Sequence, residues 1–412
     1  MHEMSILALG DPVMDLLAHV SHDFLATVTD EPGGCFTVAP DEMKNLLEKV
    51  GKKSDVIRIP GGSAANVAKG LASVLADRAS VRFLGMIGRD STGKDYRLKL
   101  KEQHVHPMLL EASSDSPSAV SLCMVTPDGQ RTMRTCLGAS LELKEASQAP
   151  HGWSNGLRLL HCEGYCLYRP QLAKDMMQAA KSQGAQVSMD LASFELVRHC
   201  KSSLLDLLES GCLDIVFANE HEAAELALQL HLVPASASHE EQVEAAQTLL
   251  LKWCQLSVVS KGPKGCAARN ASGETASAPA AGVKVVDTVG AGDFFTAGFL
   301  SAYLQAAPLQ TCAEAGCAAG SEAVQASGAE LSPAALIRLT TKISALLSKS
   351  VPSQVPCAKK TFKAWLTNIV SISNQQPGCR NRKVVGRQVA LLSTLPLLVA
   401  GIGLVFHKIA RR

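Results

Sequence analysis

Short apolar runs alternate with longer amphipathic segments along most of the first 345 residues of this 412-residue chain. Runs such as Ser5–Leu9 and Leu256–Ser260 carry no charge, which is typical of strands buried on both faces. The segments between such runs have apolar residues at the spacing of an α-helix. The alternation predicts an α/β fold with a doubly wound, mostly parallel sheet and helices on both faces. The predicted strands are Ser5–Leu9, Val81–Ile87, Arg158–His161, Gln186–Met189, Asp214–Ala218, Leu256–Ser260 and Val283–Val286. The predicted helices lie at Ala64–Leu75, from Pro170, near Phe194–Leu208, from about His221 and at Asp293–Gln305.

Two stretches, residues 16–60 and 117–137, depart from this alternation because they hold strand-like runs without intervening helices. In the second stretch, Ala119–Val125 is followed by a turn at Asp128-Gly129 and by another run, Arg131–Cys136. Strands outside a doubly wound sheet predict a small accessory sheet. In an enzyme, such a sheet would act as a lid over the active site.

Charge is divided unevenly along the chain. Residues 331–412 carry 13 lysines and arginines and no acidic residue, whereas all 38 acidic residues precede them. We predict a folded body over 1–348, a basic linker over 349–388, a transmembrane anchor over 389–406, where 18 successive residues are uncharged, and a basic tail over 407–412. The anchor would hold the body on the cytosolic side of an organelle membrane whose identity stays open. Without the anchor, the body would be cytoplasmic.

Composition argues against several protein classes. An aromatic content of 4% is low for stacking single-stranded nucleic acid, and a net charge of +2 is low for a nucleic-acid binder, so no nucleic-acid partner is expected. The 13 cysteines are odd in number and lack Cys-x-x-Cys spacing, which indicates buried thiols in a reducing compartment. His161, Cys162 and Cys166 lack a second pair of metal ligands, and we interpret them as structural.

The strongest chemical signal is the segment Asp287-Thr288-Val289-Gly290-Ala291-Gly292-Asp293, which follows a predicted strand and begins a predicted helix. Small residues let backbone N–H groups approach a phosphate closely, and the helix dipole adds positive potential there. Asp293, in the first helical turn, is placed to accept a proton from a substrate hydroxyl. Taken alone, however, the segment is better explained as a glycine turn with Asp293 as a helix cap.

Further polar clusters follow predicted strands or glycine turns. They are Asp15 after the first strand, Gly61-Gly62 with Asn66, Asn219 to Glu222, and Ser260 to Gly265. Because open α/β sheets bind ligands beyond the carboxyl ends of their strands, these clusters predict one shared ligand site. Asn66 is unfavourable inside a helix, which makes a side-chain partner such as a ligand hydroxyl plausible.

These motifs resemble the signatures of the PfkB carbohydrate and nucleoside kinase family, the ribokinase-like kinases. Gly61-Gly62 with Asn66 resembles the first signature, and the segment from Asp287 to Asp293 resembles the second. Asn219-x-x-Glu222 and Ser260-x-Gly262-x-x-Gly265 resemble the family's Mg²⁺/phosphate motif and nucleotide-binding turn. The similarity covers about residues 5–345 in the family's order. It implies a ribokinase-like fold and transfer of a phosphoryl group from ATP to a hydroxyl.

The resemblance also implies roles for individual residues. Asp293 would be the general base, with the backbone amides of Gly290, Ala291, Gly292 and Asp293 as an anion hole. Arg131 would reach the phosphates from the lid, or else be a solvated charge on a hairpin. The substrate-binding residues would be Asp15, Gly61, Gly62 and Asn66. The nucleotide-binding residues would be Asn219, Ser260, Gly262, Gly265 and Gly328, beside a small-residue helix at Cys312–Val324, with Asn219 and Glu222 ordering Mg²⁺ through water. Whether a monovalent cation such as K⁺ activates the enzyme stays open.

The segments Gly10–Asp15, Gly129–Met133 and Asp190–Phe194 resemble the adenosine-kinase-like and plant-type members of the family. Asp190 stands where adenosine kinases tend to have Asn, and no aromatic residue is evident at the lid strand for stacking a purine. The substrate therefore stays open between a nucleoside and a sugar, as does the oligomeric state. A membrane-tethered, catalytically weak scaffold protein with a kinase fold is the alternative function, and a nucleic-acid binder that uses the basic tail is a third.

Overall fold

The computed structural model describes residues 4–29, 32, 35–51, 55–128, 130–326 and 328–350. Within these residues the strands are β1 (Met4–Leu9), β2 (Met14–His19), β3 (Cys35–Thr37), β4 (Val56–Pro60), β5 (Ala79–Ile87), β6 (His106–Glu111), β7 (Val120–Val125), β8 (Arg131–Cys136), β9 (Leu157–Glu163), β10 (Gln186–Asp190), β11 (Ile215–Asn219), β12 (Leu256–Ser260), β13 (Cys266–Asn270) and β14 (Thr275–Ala278). The α-helices are α1 (His22–Ala26), α2 (Pro40–Gly51), α3 (Ser63–Leu75), α4 (Ser91–Glu102), α5 (Pro170–Ser182), α6 (Phe194–His199), α7 (Lys201–Glu209), α8 (Glu220–Gln229), α9 (His239–Leu250), α10 (Ala291–Tyr303), α11 (Leu309–Ala323) and α12 (Pro333–Ser350). Short 3₁₀ helices lie at Ala76–Arg78, Gly138–Glu142, Ala146–Gln148, Gly164–Tyr168 and Gly262–Lys264.

The larger sheet has nine strands in the order β14-β13-β12-β11-β10-β9-β1-β5-β6. Neighbouring strands from β12 to β6 are parallel, and β13 and β14 form an antiparallel edge. In β1, Ile6 and Ala8 pack into one apolar cluster, whereas Leu7 and Leu9 pack into another. Successive side chains of a strand point to opposite faces, so helices cover this sheet on both sides. The predicted fold class is confirmed.

The smaller sheet has the order β3-β8-β7-β2-β4 and combines the two stretches that depart from the strand–helix alternation. Two short turns lie where the chain enters and leaves it. Residues 10–13 connect β1 of the larger sheet to β2, and Gly61-Gly62 connects β4 to α3. Residues of these turns are therefore held between the two sheets.

The prediction that residues 16–60 lack helices is wrong, because α1 and α2 lie there. Helix α2 buries Met43, Leu46 and Val50, which are spaced three and four residues apart on one helical face. The predicted helix near Phe194–Leu208 is likewise two helices, α6 and α7, separated at Cys200.

The predicted strand at Val283–Val286 is also absent from the structure. The edge of the larger sheet is already formed by β14, and the chain leaves it there. The side chains of Val285 and Val286 are 57% and 59% exposed, and the Val286 N–H donates to the Val324 carbonyl at 2.7 Å. This apolar run therefore joins no strand of the described residues and is hydrogen-bonded instead to the C-terminal end of α11.

No helix in the part of the chain that the structure describes is both long enough and apolar enough to cross a membrane. The predicted linker beyond residue 350, the anchor at 389–406 and the tail at 407–412 lie outside the described residues, as do Gly129 of the predicted hairpin turn and Ser327 beside Gly328. These assignments stay predictions from the sequence.

Candidate active site

A cavity of about 390 Å³ is lined by residues of both sheets. The larger sheet contributes the last residue of each of four adjacent parallel strands, namely Glu163, Asp190, Asn219 and Ser260. The smaller sheet contributes Asp15, Thr37, Ser121, Met133 and Thr135. The cavity thus lies at the carboxyl edge of the parallel sheet, where the sequence predicted a ligand site.

The N-terminus of α10 forms one wall of the cavity. Gly290 has a φ of +74°, and a Cβ atom there would lie 2.6 Å from Cβ of Ala329, so the turn requires glycine. Ala291 is the first residue of the helix, and Gly292 has open space where a side chain would be. Backbone N–H groups of a first helical turn lack intrahelical partners, so this wall can bind an anion.

Asp293 joins the start of α10 to the start of α3. Its Oδ1 accepts a 2.7 Å hydrogen bond from Ser63 Oγ, and its Oδ2 accepts a 2.8 Å bond from Asn66 Nδ2. Desolvation raises the pKa of Asp293, although the bonds from Asn66 and Ser63 and the charge of Lys69 oppose the shift. Asn66 is 4% exposed, and its Oδ1 has no hydrogen-bond partner among the described residues.

Asp15 is the second residue of β2, and its side chain lies against the turn between β4 and α3. A Cβ atom at Gly61 would collide with its carboxylate, and Gly62 has a φ of +93°. Burial is the main cause that raises the pKa of Asp15 to about 7. The positive charges of Lys69 and Arg131 oppose this shift, and the negative charge of Asp293 adds to it. Asp15, Gly62 and Asn66 all line the cavity, whereas Gly61 supports the turn behind Asp15.

Asn219 and Glu222 form the N-terminal capping box of α8. Asn219 Oδ1 accepts the Glu222 N–H at 2.9 Å, and Glu222 Oε2 accepts the Asn219 N–H at 2.8 Å. The other carboxylate oxygen of Glu222 accepts from Asn219 Nδ2 at 2.5 Å. Burial, with the charge of Asp190 next, raises the pKa of Glu222 well above its ordinary value. Both residues line the cavity while each oxygen of Glu222 already has an internal partner.

Several predicted nucleotide-side residues lie away from this cavity wall. Gly262 and Gly265 flank the turn after β12, where Lys261 forms an ion pair with Glu240 at 2.6 Å. Arg131 forms an ion pair with Asp287, and the same Asp287 accepts the N–H of Gly328 at 2.5 Å. Arg131 and Gly328 therefore meet at Asp287, the first residue of the glycine-rich segment.

A buried charged cluster that the sequence did not predict lies beside the cavity. Glu163 accepts the N–H groups of Asp11 at 2.7 Å and Ala64 at 2.8 Å. Asp11 in turn pairs with Arg169 at 2.5 Å. Burial and the charge of Asp11 raise the pKa of Glu163 to about 8, against the opposing hydrogen bonds. The strand predicted from the sequence ended at His161, two residues before the true end of β9 at Glu163. Glu163 was therefore not recognised as a side chain at the carboxyl edge of the sheet.

Two aromatic residues at the cavity were missed as well. Tyr165 and Tyr168 lie in the 3₁₀ helix after β9, with ring centroids 6.4 Å apart and planes 22° apart. Both line the cavity, and Tyr168 is 47% exposed. Strands β7 and β8 of the smaller sheet hold no aromatic residue, so the aromatic part of the cavity wall comes instead from the segment after β9. Their position just beyond the end of the buried strand β9 is the sequence feature that could have predicted them.

The fold agrees with comparisons to known proteins. Residues 36–335 match the family described as pfkB family carbohydrate kinase, and the chain belongs to that family. It is a kinase with a ribokinase-like α/β fold, and its relatives identify it more closely as a nucleoside or sugar kinase.

The chain is 27% identical to the adenosine kinase of Dictyostelium discoideum, over 80% of this chain and 97% of that protein. Among solved structures, it is similar to the adenosine kinase from Sinorhizobium meliloti, with 27% identity, a TM-score of 0.71, and coverage of 82% of this chain and 99% of that one. A probable sugar kinase from Rhizobium etli has 27% identity and a TM-score of 0.73, covering 84% of this chain and 100% of its own.

Proposed function

We propose that this kinase transfers the terminal phosphoryl group of ATP to a hydroxyl of a nucleoside, with Asp293 as the general base. The observation that carries the proposal is the position of Asp293. It lies in the first turn of α10, yet Ser63 and Asn66 at the start of α3 donate hydrogen bonds to both of its oxygens. A carboxylate at this junction lies beside an anion-binding helix terminus and can accept the proton that leaves the attacking hydroxyl.

The acceptor side has polar groups suited to a ribose. Asp15 and Asn66 lie on the cavity wall, and the unpartnered Oδ1 of Asn66 is an acceptor for a substrate hydroxyl. A buried polar atom without a partner costs free energy, so a hydroxyl that donates to it would bind favourably. The unpartnered Oδ1 of Asn66 supports the substrate-binding role proposed for Asp15, Gly61, Gly62 and Asn66.

The remainder of the cavity favours a nucleoside over a free sugar. The stacked rings of Tyr165 and Tyr168 line it together with Val13, Met133 and Leu137. A nucleobase has the flat apolar faces that such a surface binds, whereas a small sugar would leave it in contact with water. Adenosine is the first candidate, because relatives of this chain are named adenosine kinases.

The phosphate side would use the backbone amides from Gly290 to Asp293. Mg²⁺ carried by ATP is a hard cation that prefers oxygen ligands and keeps several waters. Since both oxygens of Glu222 already accept hydrogen bonds, Asn219 and Glu222 suit contact with the ion through water rather than direct ligation. The ion would neutralise phosphate charge, while Ser260, Gly262, Gly265 and Gly328 would shape the nucleotide's surroundings. A role for K⁺ stays a prediction.

A catalytically weak scaffold would need neither the base nor the anion-binding turn. The test is turnover of the full chain with ATP and Mg²⁺ against adenosine, other nucleosides, ribose and fructose. We expect adenosine or another nucleoside to have the highest kcat/KM. Asp293→Asn should lower kcat by about 10²-fold or more with an unchanged melting temperature, because Asn keeps the shape but cannot take the proton. Asp206→Asn, an exposed position on α7, is the control. Nucleotide binding without turnover on any acceptor would favour the scaffold.

We also propose that residues 389–406 anchor the enzyme to a membrane, with the kinase facing the cytosol. The support is the sequence, in which 18 uncharged residues lie between basic flanks. Alkaline carbonate should leave the full-length protein in the membrane pellet and release a chain that ends at Gln388. Equal release of the two proteins would contradict the anchor.

A further inference from the structure

Lys69 is a buried lysine on the second turn of α3. Its side chain is 1% exposed, and it lies among apolar residues of the same helix. The Nζ atom donates to the carbonyl oxygen of Pro60 at 2.6 Å and to that of Ala329 at 3.0 Å. One ammonium group therefore joins two backbone segments that are far apart in the sequence.

The first segment is the acceptor turn, residues 60–63. Pro60 is the last residue of β4, and its carbonyl belongs to the peptide that precedes Gly61-Gly62. Asp15 lies directly against Gly61, and Ser63 donates to Asp293. A group that fixes the Pro60 carbonyl therefore fixes the start of the surface on which the acceptor would bind.

The second segment is the nucleotide loop, residues 328–330, between α11 and α12. Ala329 packs against Gly290, where an added Cβ would lie 2.6 Å from its own Cβ. Gly328 donates its N–H to Asp287 at 2.5 Å. The loop thus supports both ends of the glycine-rich turn that would hold the phosphates.

A charged group at this place is costly for folding. Burial lowers the pKa of Lys69 to about 8, and the charges of Glu330, Asp15 and Asp293 oppose that shift. A methionine would fill similar space without the desolvation cost. The ammonium is therefore poorly explained as core packing, whereas its two carbonyl contacts match the two sides of the phosphotransfer site.

We propose that Lys69 is a positioning residue that links the acceptor turn to the nucleotide loop, so that acceptor binding strengthens nucleotide binding. The inference rests on the proposed function, since that function assigns one segment to the acceptor and the other to the nucleotide. An acceptor held by Asp15 and Asn66 orders the turn, the turn orders the ammonium, and the ammonium orders the Ala329 carbonyl beside Gly290. The coupling is reciprocal, because each ligand must raise the affinity of the other by the same factor.

Titration calorimetry of the full chain measures this coupling. The dissociation constant of Mg²⁺ with a non-hydrolysable ATP analogue is determined with and without saturating adenosine. In the wild type we expect adenosine to tighten analogue binding at least about fivefold, within the usual range of such couplings. Lys69→Met should bring that factor close to one and lower kcat/KM for ATP, whereas Lys69→Arg, which keeps the charge and donors, should retain part of the coupling.

Leu75→Ala is the matched control. Leu75 is fully buried at the end of the same helix, so its truncation lowers the melting temperature without touching Pro60 or Ala329. It should leave the coupling factor unchanged. A loss of coupling in Leu75→Ala equal to that in Lys69→Met would assign the effect to general destabilisation and overturn the proposal.

Hydrogen exchange of the unliganded proteins tests the link without any substrate. Lys69→Met, or Lys69→Gln if the former does not fold, should speed exchange in both segments, residues 60–63 and 328–330, and Leu75→Ala should not. Unchanged exchange in either segment overturns the link, and unchanged coupling in Lys69→Met overturns its role in binding. If the wild type phosphorylates no acceptor, the proposed function fails, and the exchange result still decides whether Lys69 joins the two segments.

Discussion

The guanidinium of Arg131 forms an ion pair with the carboxylate of Asp287, at the point where the smaller sheet meets the glycine-rich segment. The Asp287 side chain is 1% exposed and also accepts the N–H groups of Val289 at 2.8 Å and Gly328 at 2.5 Å. Arg131 is therefore not a solvated hairpin charge. The pair connects the smaller sheet to the glycine-rich segment, and Arg131 would have to leave Asp287 to contact a phosphate.

If Arg131 exchanges Asp287 for a phosphate oxygen during transfer, Arg131→Gln should lower kcat/KM for ATP by about tenfold, because that charge-assisted contact would be lost from the transition state. The fold should be kept, since Asp287 retains two backbone donors. Steady-state kinetics at varied ATP checks this. Arg158→Gln, an exposed arginine on β9, controls for the change in net charge. Equal kinetics in Arg131→Gln and the wild type would restrict Arg131 to its contact with Asp287.

Tyr168→Ala should raise the KM for adenosine by roughly three- to tenfold, the scale of one aromatic contact. Tyr168→Phe keeps the ring that faces the cavity and should behave like the wild type. Initial rates at varied adenosine and fixed ATP measure the effect. A change confined to the KM for ATP would place the nucleotide, rather than the acceptor base, against this ring.

If Glu222 orders metal-bound water as proposed, Glu222→Gln should raise the Mg²⁺ concentration that gives half the maximal rate, because the side chain can no longer carry a negative charge. Gln can still accept the Asn219 N–H, so the cap of α8 should survive. Glu241→Gln is a matched control, since Glu241 occupies the same capping-box position on α9 with Ser238 and is exposed. The same Mg²⁺ dependence in both variants would limit Glu222 to its capping role.

Asp15→Asn should change the pH dependence of stability. Burial raises the pKa of Asp15 in the folded protein to about 7, so the native state holds this proton more tightly than the unfolded chain does. The stabilising contribution is complete below about pH 4 and is lost as the pH rises through 7. The melting temperature of Asp15→Asn relative to the wild type should therefore rise between pH 5 and pH 8. Asp206→Asn, at an exposed position, is the control substitution, and a constant difference for Asp15→Asn would contradict the raised pKa.

Much of the architecture follows from the sequence alone. Uncharged runs such as Leu256–Ser260 become parallel strands with little ambiguity, because a strand buried on both faces excludes charge along its whole length. Asn219 and Ser260 lie together at one edge because the carboxyl ends of parallel strands share that edge. Local patterns misled at Val285, whose apolar run is exposed and joins no strand, and at α2, whose helical spacing was overlooked.

The sequence also marked Asp293, Asn66 and Asp15 individually, since glycine turns and strand ends are local features. Their arrangement was decided by tertiary structure. The hydrogen bond from Asn66 to Asp293 joins residues 227 positions apart, and the bond from Lys69 to Ala329 spans 260 positions. No periodicity encodes such pairs, because each depends on how α3 packs against α10 and against residues 328–330. Burial also set the raised pKa of Asp15, since a desolvation cost exists only once the surrounding chain has excluded water.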